Sequence, residues 1–185
     1  MFKWFRPTAL DPLAVSMAGA KLGDRVLVVG CRDPRLIVAL AAKAGLSGRA
    51  CAVDESEEIA TEAGRVALKE GVLIETSAAP PHALGFDGDS FDLVILRDVG
   101  TSDRQSRAPA FQEAWRVLRP GGRCMIIDTI ASGAVAALFG GEARRTREDA
   151  AIEAIDVLRG QGFVAVRTLA EREGLRFIEA IKKNT

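Results

Sequence analysis

The sequence predicts an α/β fold in which a mostly parallel sheet carries helices on both faces and is closed by a C-terminal antiparallel hairpin. Short apolar runs alternate with segments of helical periodicity through most of the chain, a pattern typical of parallel strands joined by crossover helices. Two final strand-like runs have no room between them for a crossover helix, so they must pair antiparallel.

The composition is that of a soluble globular protein. Its 185 residues are 48% hydrophobic and 27% charged, which fits a single domain with an N-terminal extension over residues 1–20 and a core over residues 21–185. No apolar run approaches the roughly 20 residues of a transmembrane helix, and the N-terminus lacks the features of a signal peptide. We therefore expect a cytoplasmic protein without a transmembrane segment.

Charge and cysteine content argue against a nucleic-acid-binding protein, a disulfide-rich protein and a zinc protein. The 25 basic and 25 acidic residues cancel, so no nucleic-acid partner is indicated. Cys31, Cys51 and Cys124 are too few, and too apolar in context, for a disulfide framework or a zinc site. We expect these cysteines to be reduced and mostly buried, and we expect no metal site.

Five apolar runs, each bounded by Gly, Pro, Asp or Ser, predict the parallel strands. They span residues 26–29, 50–53, 72–76, 92–96 and 123–128. Apolar stripes at helical spacing lie between them, and their members include Leu36 with Leu40, Ile59 with Ala63, and Phe111 with Leu118.

In the C-terminal part the alternation of strands and crossover helices ends. Thr146 and Asp149 resemble a capping box that starts a last helix, which continues to Gly160. Residues 163–169 and 175–181 are then the two strands of the hairpin, joined by residues 170–174.

Four stretches, in this order, carry a resemblance to a known family. They are LGDRVLVVGC at 22–31, CAVDES at 51–56, GDSFDLVIL at 88–96 and EAWRVLRPGGRCMIID at 113–128. Over about residues 20 to 183 the sequence resembles the class I S-adenosylmethionine-dependent methyltransferases, and the last stretch resembles their small-molecule branch. The resemblance implies a Rossmann-like sheet of seven strands, the last antiparallel to the rest, with S-adenosylmethionine as the cofactor.

The loop after the first strand departs from the pattern of that family. Residues Gly30, Cys31 and Arg32 stand where the cofactor's methionine part lies in the family. Val28 replaces the usual acidic residue, and Arg32 and Pro34 occupy positions where glycines are usual. The resemblance therefore implies cofactor contacts from a degenerate glycine loop.

Two further places at strand ends match the family's cofactor contacts unequally. Asp54, followed by Glu55, ends the second strand and matches the acid that accepts hydrogen bonds from ribose hydroxyls. The same acids also suit the start of the next helix. After the third strand, Ser77 and Ala78 stand where the family often has an aspartate for adenine, which leaves backbone groups or Ser77 to hold the base.

The end of the fourth strand supplies the candidate catalytic residue. Arg97 and Asp98 lie where the acceptor side begins in the family, and Asp98 is the candidate base or orienting group. The alternative is a solvated or mutually paired loop couple. His82, the single histidine, is either a base or a surface-loop residue.

Three hypotheses follow from these residues. The first is an active methyltransferase with an unidentified methyl acceptor, and the second is an inactive methyltransferase-fold protein that acts as a binding or assembly module. The third is a nicotinamide-dependent oxidoreductase, which the absence of G-x-G-x-x-G and the terminal hairpin disfavour. The aromatic and basic N-terminal tip, with Phe2, Trp4 and Phe5, indicates packing on the domain or a homodimer contact rather than contact with a membrane surface.

Overall fold

The computed structural model describes residues 12–99, 104–130 and 140–184, with the backbone alone described at 12, 104–105 and 140–148. The aromatic N-terminal tip, and with it the homodimer contact predicted from the sequence, lies outside the described residues.

Five helices and seven strands make up the described part. In chain order they are α1 (Pro12–Ala18), β1 (Arg25–Val29), α2 (Pro34–Ala44), β2 (Arg49–Asp54), α3 (Glu57–Lys69), β3 (Glu75–Ala78), β4 (Phe91–Arg97), α4 (Arg104–Val117), β5 (Leu118–Thr129), α5 (Gly140–Gly160), β6 (Phe163–Arg172) and β7 (Leu175–Lys182).

The seven strands form one sheet in the order β3-β2-β1-β4-β5-β7-β6. The pairs β1–β2, β1–β4, β2–β3 and β4–β5 are parallel, whereas β7 runs antiparallel to both β5 and β6. The predicted seven-stranded, mostly parallel sheet with a C-terminal antiparallel hairpin is confirmed. The strand order reverses at β1, so the carboxyl ends of β1 and β4 border a crevice where ligands of such sheets bind.

Helices cover both faces, and each face has its own core. Alternate residues of β1 divide between the two faces: Val26 and Val28 pack under α1, α2 and α3, and Leu27 and Val29 pack under α4 and α5. Because both faces of the central strands are buried, these strands read as continuous apolar runs in the sequence. All three cysteines are free and buried, as predicted.

Two helices next to the crevice begin at side-chain caps. The Asp33 side chain accepts a hydrogen bond from the Arg35 N–H at 3.1 Å, and Pro34 is the first residue of α2. The Ser56 hydroxyl accepts one from the Ile59 N–H at 3.3 Å at the start of α3. Both caps hold helix starts at the carboxyl edge of the sheet.

A half-buried carboxylate joins three strands at the opposite edge. Asp92 accepts hydrogen bonds from the Arg25 N–H at 2.8 Å and from Arg25 Nε at 3.0 Å, and its second oxygen accepts from Arg119 Nε. Burial raises the pKa of Asp92, but the hydrogen bonds from the two arginines outweigh it and lower the pKa to about 2.

Three predicted boundaries are wrong. The third strand is Glu75–Ala78 rather than 72–76, because the Val72 N–H still bonds to the Ala67 carbonyl at 2.9 Å and belongs to the helix end. Helix α4 ends at Val117, so Leu118 is in β5, where a register shift accommodates the Pro-Gly-Gly turn. Helix α5 starts at Gly140 rather than Thr146, since residues 142–145 are good helix formers.

The closing hairpin is tighter than predicted. Its strands extend to Arg172 and from Leu175, so only Glu173 and Gly174 form the turn. Both have positive φ, 54° and 76°, as a two-residue turn between twisted strands requires.

No helix in the described ranges is long and apolar enough to cross a membrane.

Candidate functional site

Gly30 ends β1 in a conformation that excludes a side chain. Its φ is +83°, and a Cβ at this position would lie 2.8 Å from the Arg97 carbonyl oxygen of neighbouring β4. Its N–H donates to the Val53 carbonyl at 2.8 Å. The chain therefore leaves β1 pressed between β2 and β4, which is where a glycine is needed.

Asp54 joins the first loop to the start of α3. One carboxylate oxygen accepts from the Cys31 N–H at 3.0 Å, and the other accepts from the Ser56 N–H at 3.1 Å. The residue is 8% exposed. Each oxygen has a second lone pair, so the carboxylate holds both loops and still has acceptor capacity toward a ligand.

Cys31 contributes its backbone rather than its thiol. Its side chain is buried in the core under α1 and α2. Burial, and then the charge of Asp54, raise the pKa of this thiol to about 11.

The departures from the family's glycine loop do not fill the crevice. Val28 is buried in the core beneath the helices, and Pro34 starts α2. Arg32 is exposed and lies on the crevice wall. Asp33 is held by Arg35 at 2.7 Å and 2.6 Å, and the hydrogen bond from the Arg35 side chain lowers its pKa, against the effect of burial.

The end of β4 forms the opposite wall. Asp98 has a φ of +57°, and its Oδ1 accepts from the Thr129 N–H at 2.6 Å, while its own N–H bonds to the Ile127 carbonyl at 3.0 Å. These contacts bind the end of β4 to the end of β5. The Asp98 carboxylate is exposed at the crevice.

A cavity of about 840 Å³ occupies the crevice, a size typical of small-molecule sites, which span about 300 to 1,000 Å³. Six of the predicted site residues line it: Gly30, Arg32, Asp54, Glu55, Arg97 and Asp98. Their convergence follows from the parallel strands, because the carboxyl ends of β1, β2 and β4 meet at one edge.

Ser77 and Ala78 are placed elsewhere. They lie exposed in the edge strand β3 and do not line this cavity. Pro81 and His82 line it instead, on a loop that is held where the Leu84 N–H donates to Glu113 at 2.9 Å.

Five other residues of the cavity wall were missed from the sequence: Val29, Ser56, Val99, Ser106 and Ala110. Ser56 carried a signal, since it precedes an acidic helix start. Ser106 and Ala110 belong to α4, and nothing in their local sequence marks them as site residues.

A family profile described as "Methyltransferase domain" matches residues 26–122, which is more than half of the chain. This chain belongs to that methyltransferase family. The resemblance predicted from the sequence is confirmed, and the family implies S-adenosylmethionine as the cofactor.

Curated relatives of this chain include two proteins named for quinones. A "2-phytyl-1,4-beta-naphthoquinone methyltransferase, chloroplastic" of Arabidopsis thaliana is 37% identical over 120 residues, which are 63% of this chain and 46% of that protein. A "Ubiquinone/menaquinone biosynthesis C-methyltransferase UbiE" of Hydrogenovibrio crunogenus is 29% identical over 118 residues, with shares of 62% and 46%. The chain thus spans about half the length of the curated relatives it matches.

Solved structures agree with the fold. A SAM-dependent methyltransferase from Aquifex aeolicus superposes with a TM-score of 0.74 at 20% identity, covering 94% of this chain and 90% of that one. The [4+2]-cyclase SpnF superposes with a TM-score of 0.70 at 15% identity, covering 94% and 80%. A neighbour named as a cyclase illustrates that the fold alone does not set the reaction.

The residues of the cavity fit S-adenosylmethionine in charge and position. Asp54 and Glu55 offer acceptors for ribose hydroxyls on one side, and Arg32 and Arg97 offer cations for a carboxylate on the other. The missing glycines of the first loop therefore do not close the site.

Proposed function

We propose that this methyltransferase-family chain binds S-adenosylmethionine in the cavity at the carboxyl ends of β1, β2 and β4 and transfers its methyl group to a small acceptor. The observation that supports this most is the convergence of Gly30 and Asp54 on one cavity of about 840 Å³. When bound, S-adenosylmethionine supplies an electrophilic methyl group.

The role of Asp54 is to position the ribose of the cofactor. Because it accepts from the Cys31 and Ser56 N–H groups, the carboxylate is fixed in orientation before any ligand arrives. A fixed acceptor loses little side-chain entropy on binding. Its remaining lone pairs accept hydrogen bonds from ribose hydroxyls.

We further propose a quinol ring as the acceptor. One curated relative is named as a naphthoquinone methyltransferase and the other as a C-methyltransferase of quinone biosynthesis, and Pro81, Val99 and Ala110 give the cavity an apolar wall against which a ring can lie. An aromatic carbon that gains a methyl group must lose a proton. Asp98 and His82, both on the wall, are the candidate acceptors of that proton.

The first experiment is calorimetric titration of the cofactor-free protein with S-adenosylhomocysteine. We expect a dissociation constant on the order of micromolar for the wild type and a loss of about tenfold or more for Asp54→Ala, since hydrogen bonds to charged groups contribute about 1.5–3 kcal/mol each. Asp24→Asn is the control, because Asp24 also accepts a backbone N–H, from Lys21 at 2.8 Å, but precedes the amino end of β1 and does not line the cavity. Equal affinity of Asp54→Ala and wild type would contradict the assignment.

The acceptor is tested with radiolabelled methyl transfer. We expect label at a ring carbon of 1,4-naphthoquinol, and none on the hydroxyl oxygens of a catechol. Label in the catechol alone, or in neither compound while the cofactor binds, would refute the quinol proposal.

One observation favours a second candidate, the inactive binding module. Both oxygens of Asp54 already have backbone partners, so the carboxylate has a structural task that needs no ligand. If the chain is an inactive binding module, we expect the calorimetric titration to show no heat of binding with S-adenosylhomocysteine at about 1 mM, a concentration that detects even weak binding.

A further inference from the structure

The two edges of the sheet differ in how they are protected against pairing with a further strand. At one edge, β6 pairs with β7 through two register shifts and carries the charged residues Arg167, Glu171 and Arg172. Bulges and charges commonly keep an edge strand from pairing with another chain. At the other edge, β3 pairs with β2 in an unbroken register, and its sequence, ETSA, contains neither Lys nor Pro. The β3 edge therefore lacks the protection that β6 has.

The outer side of β3 presents backbone hydrogen-bonding groups. All four residues of β3 are exposed, and no described strand lies beyond it in the sheet. The Ala79 N–H donates to the Asp54 carbonyl of β2 at 3.0 Å. Because the backbone groups of successive residues in a strand point to alternate sides, those of Ser77 also face β2 and those of Thr76 and Ala78 face outward.

The one charge of β3 is already neutralised. Arg49 of β2 donates to both oxygens of Glu75, at 2.8 Å and 2.5 Å. The edge is therefore open and electrically quiet, so a neutral strand can approach it.

The sequence of β3 is complementary to itself in the reverse direction. In an antiparallel copy centred on Thr76, Thr76 lies opposite itself. Glu75 then lies opposite Ser77, and Ile74 lies opposite Ala78. This register pairs outward-facing groups with outward-facing groups and places no like charges opposite each other.

The neighbouring registers are less favourable. A register centred on Glu75 places two carboxylates opposite each other. A register centred on Ser77 places Ile74 opposite Pro80, which has no N–H to donate. A centre between two residues opposes outward-facing groups to inward-facing ones.

Helix α3 lies over the same edge at the distance that a helix pair needs. It packs on β2 and β3, and a Cβ at Gly64 would lie 3.3 Å from Thr76 Cγ2, so the middle of the helix lies over the middle of β3. Strands are about 4.8 Å apart, so a helix over the gap between β2 and β3 would lie about 10 Å from its copy across the edge. Packed helices have this separation.

The charges and one apolar side chain of α3 are arranged for such a pair. Glu57 and Glu58 form the first turn, whereas Arg65 and Lys69 lie in the second half. In an antiparallel pair the basic half of each helix lies beside the acidic start of the other. Leu68 is 72% exposed and follows Gly64 by four residues, so it lies on the β3 side of the helix, where a copy would cover it.

We propose that a second copy of this chain docks on this edge: β3 pairs antiparallel with its counterpart about Thr76, and the two α3 helices pack side by side on one face of a continuous sheet. A twofold axis perpendicular to the sheet relates the copies, so each surface meets itself. The strand leads into the loop that carries Pro81 and His82, which line the cavity. The interface therefore borders both cavities of the dimer.

The first test is sedimentation velocity of the full chain with Leu68→Lys. Ile152→Lys is the matched control, because Ile152 is also exposed, at 58%, but belongs to α5, which packs on β6 at the opposite edge. We expect the wild type and the control to be dimers at about 10 µM. Leu68→Lys should raise the dissociation constant by about 100-fold or more, since the buried charge enters the interface twice. Thermal unfolding verifies that each variant is folded.

A charge exchange tests the helix pair. One double variant is Glu57→Lys with Glu58→Lys, and the other is Arg65→Glu with Lys69→Glu. Each alone places like charges side by side and should be monomeric at about 10 µM. An equimolar mixture of the two should form a heterodimer, because opposite charges meet again. Mixing would not rescue variants that were merely misfolded.

A cross-link tests the register. Directly opposite residues of a hydrogen-bonded pair have Cα atoms about 5.5 Å apart, within the range of a disulfide. Thr76→Cys should therefore form a covalent dimer on mild oxidation. Ser77→Cys is the control, since Ser77 and its counterpart are diagonal neighbours about 7–8 Å apart. The three native cysteines are buried and free.

Three results would overturn the proposal. The first is a wild type that remains monomeric at about 100 µM. The second is a dimer that Leu68→Lys leaves intact, which would place the contact elsewhere in the chain. The third is a dimer that cross-links through Ser77→Cys and not through Thr76→Cys.

Discussion

Replacing Gly30 with alanine tests the physical account of the first loop. At φ +83° an alanine is strained, and its Cβ would lie 2.8 Å from the Arg97 carbonyl oxygen and 3.2 Å from the Arg97 Cβ. The left-handed conformation costs roughly 1–2 kcal/mol for a residue with a Cβ, and forced contact in a packed site costs roughly another 1–3 kcal/mol. We expect the free energy of unfolding to fall by about 3 kcal/mol.

Gly71→Ala is the control for this substitution. Gly71 also has a positive φ, +71°, but a Cβ there would meet nothing within 4 Å. It should therefore cost only the backbone strain, roughly 1–2 kcal/mol. Urea unfolding, followed by the near-ultraviolet signal of the tryptophans, measures both variants.

The difference between the two variants isolates the contact with β4. If Gly30→Ala is no less stable than Gly71→Ala, the close approach between the first loop and β4 is wrong, and the argument for a glycine at the end of β1 is refuted.

Two further predictions concern ionisable groups. The folded pKa of Asp92, about 2, lies below its unfolded value of about 3.9, so the stabilisation by the ionised carboxylate is present above pH 4 and is lost as the pH falls toward 2. Asp92→Asn should lower the free energy of unfolding at pH 7 by up to about 2 kcal/mol and flatten the decrease of that free energy between pH 4 and 2. A variant whose stability has the same acid profile as the wild type would contradict this. Burial raises the pKa of Cys31 and Cys51 to about 11 and that of Cys124 to about 12. The native protein should therefore not react with a thiol-specific disulfide reagent at pH 8, whereas all three thiols should react in urea. Rapid reaction of the native protein would show that a cysteine is accessible.

The ends of elements were harder to predict than their existence. Continuous apolar runs marked the central strands because burial on both faces demands them. Strand β3 was misplaced because it lies at the sheet edge, where all four residues are exposed and no apolar pattern marks its limits. The capping pattern at Thr146 was misleading because a capping box does not prevent a helix from starting earlier.

The residues of the candidate site were also predicted with unequal success. Gly30, Asp54, Arg97 and Asp98 were found because each follows a recognisable strand, and parallel strands bring such residues to one edge. Ser77 was placed in the site by analogy with the family, whereas the structure puts it on an exposed strand.

The sequence by itself was enough to predict the class of fold, the strand-end residues and the family, because apolar periodicity and turn preferences depend on residues that are close together in the chain. Only the tertiary structure decided that both oxygens of Asp54 hold backbone N–H groups and that Arg32 and Arg97 line one cavity. Arg32 and Arg97 are 65 positions apart in the chain, and no local pattern encodes which side chains meet. Those facts depend on packing β1 against β4.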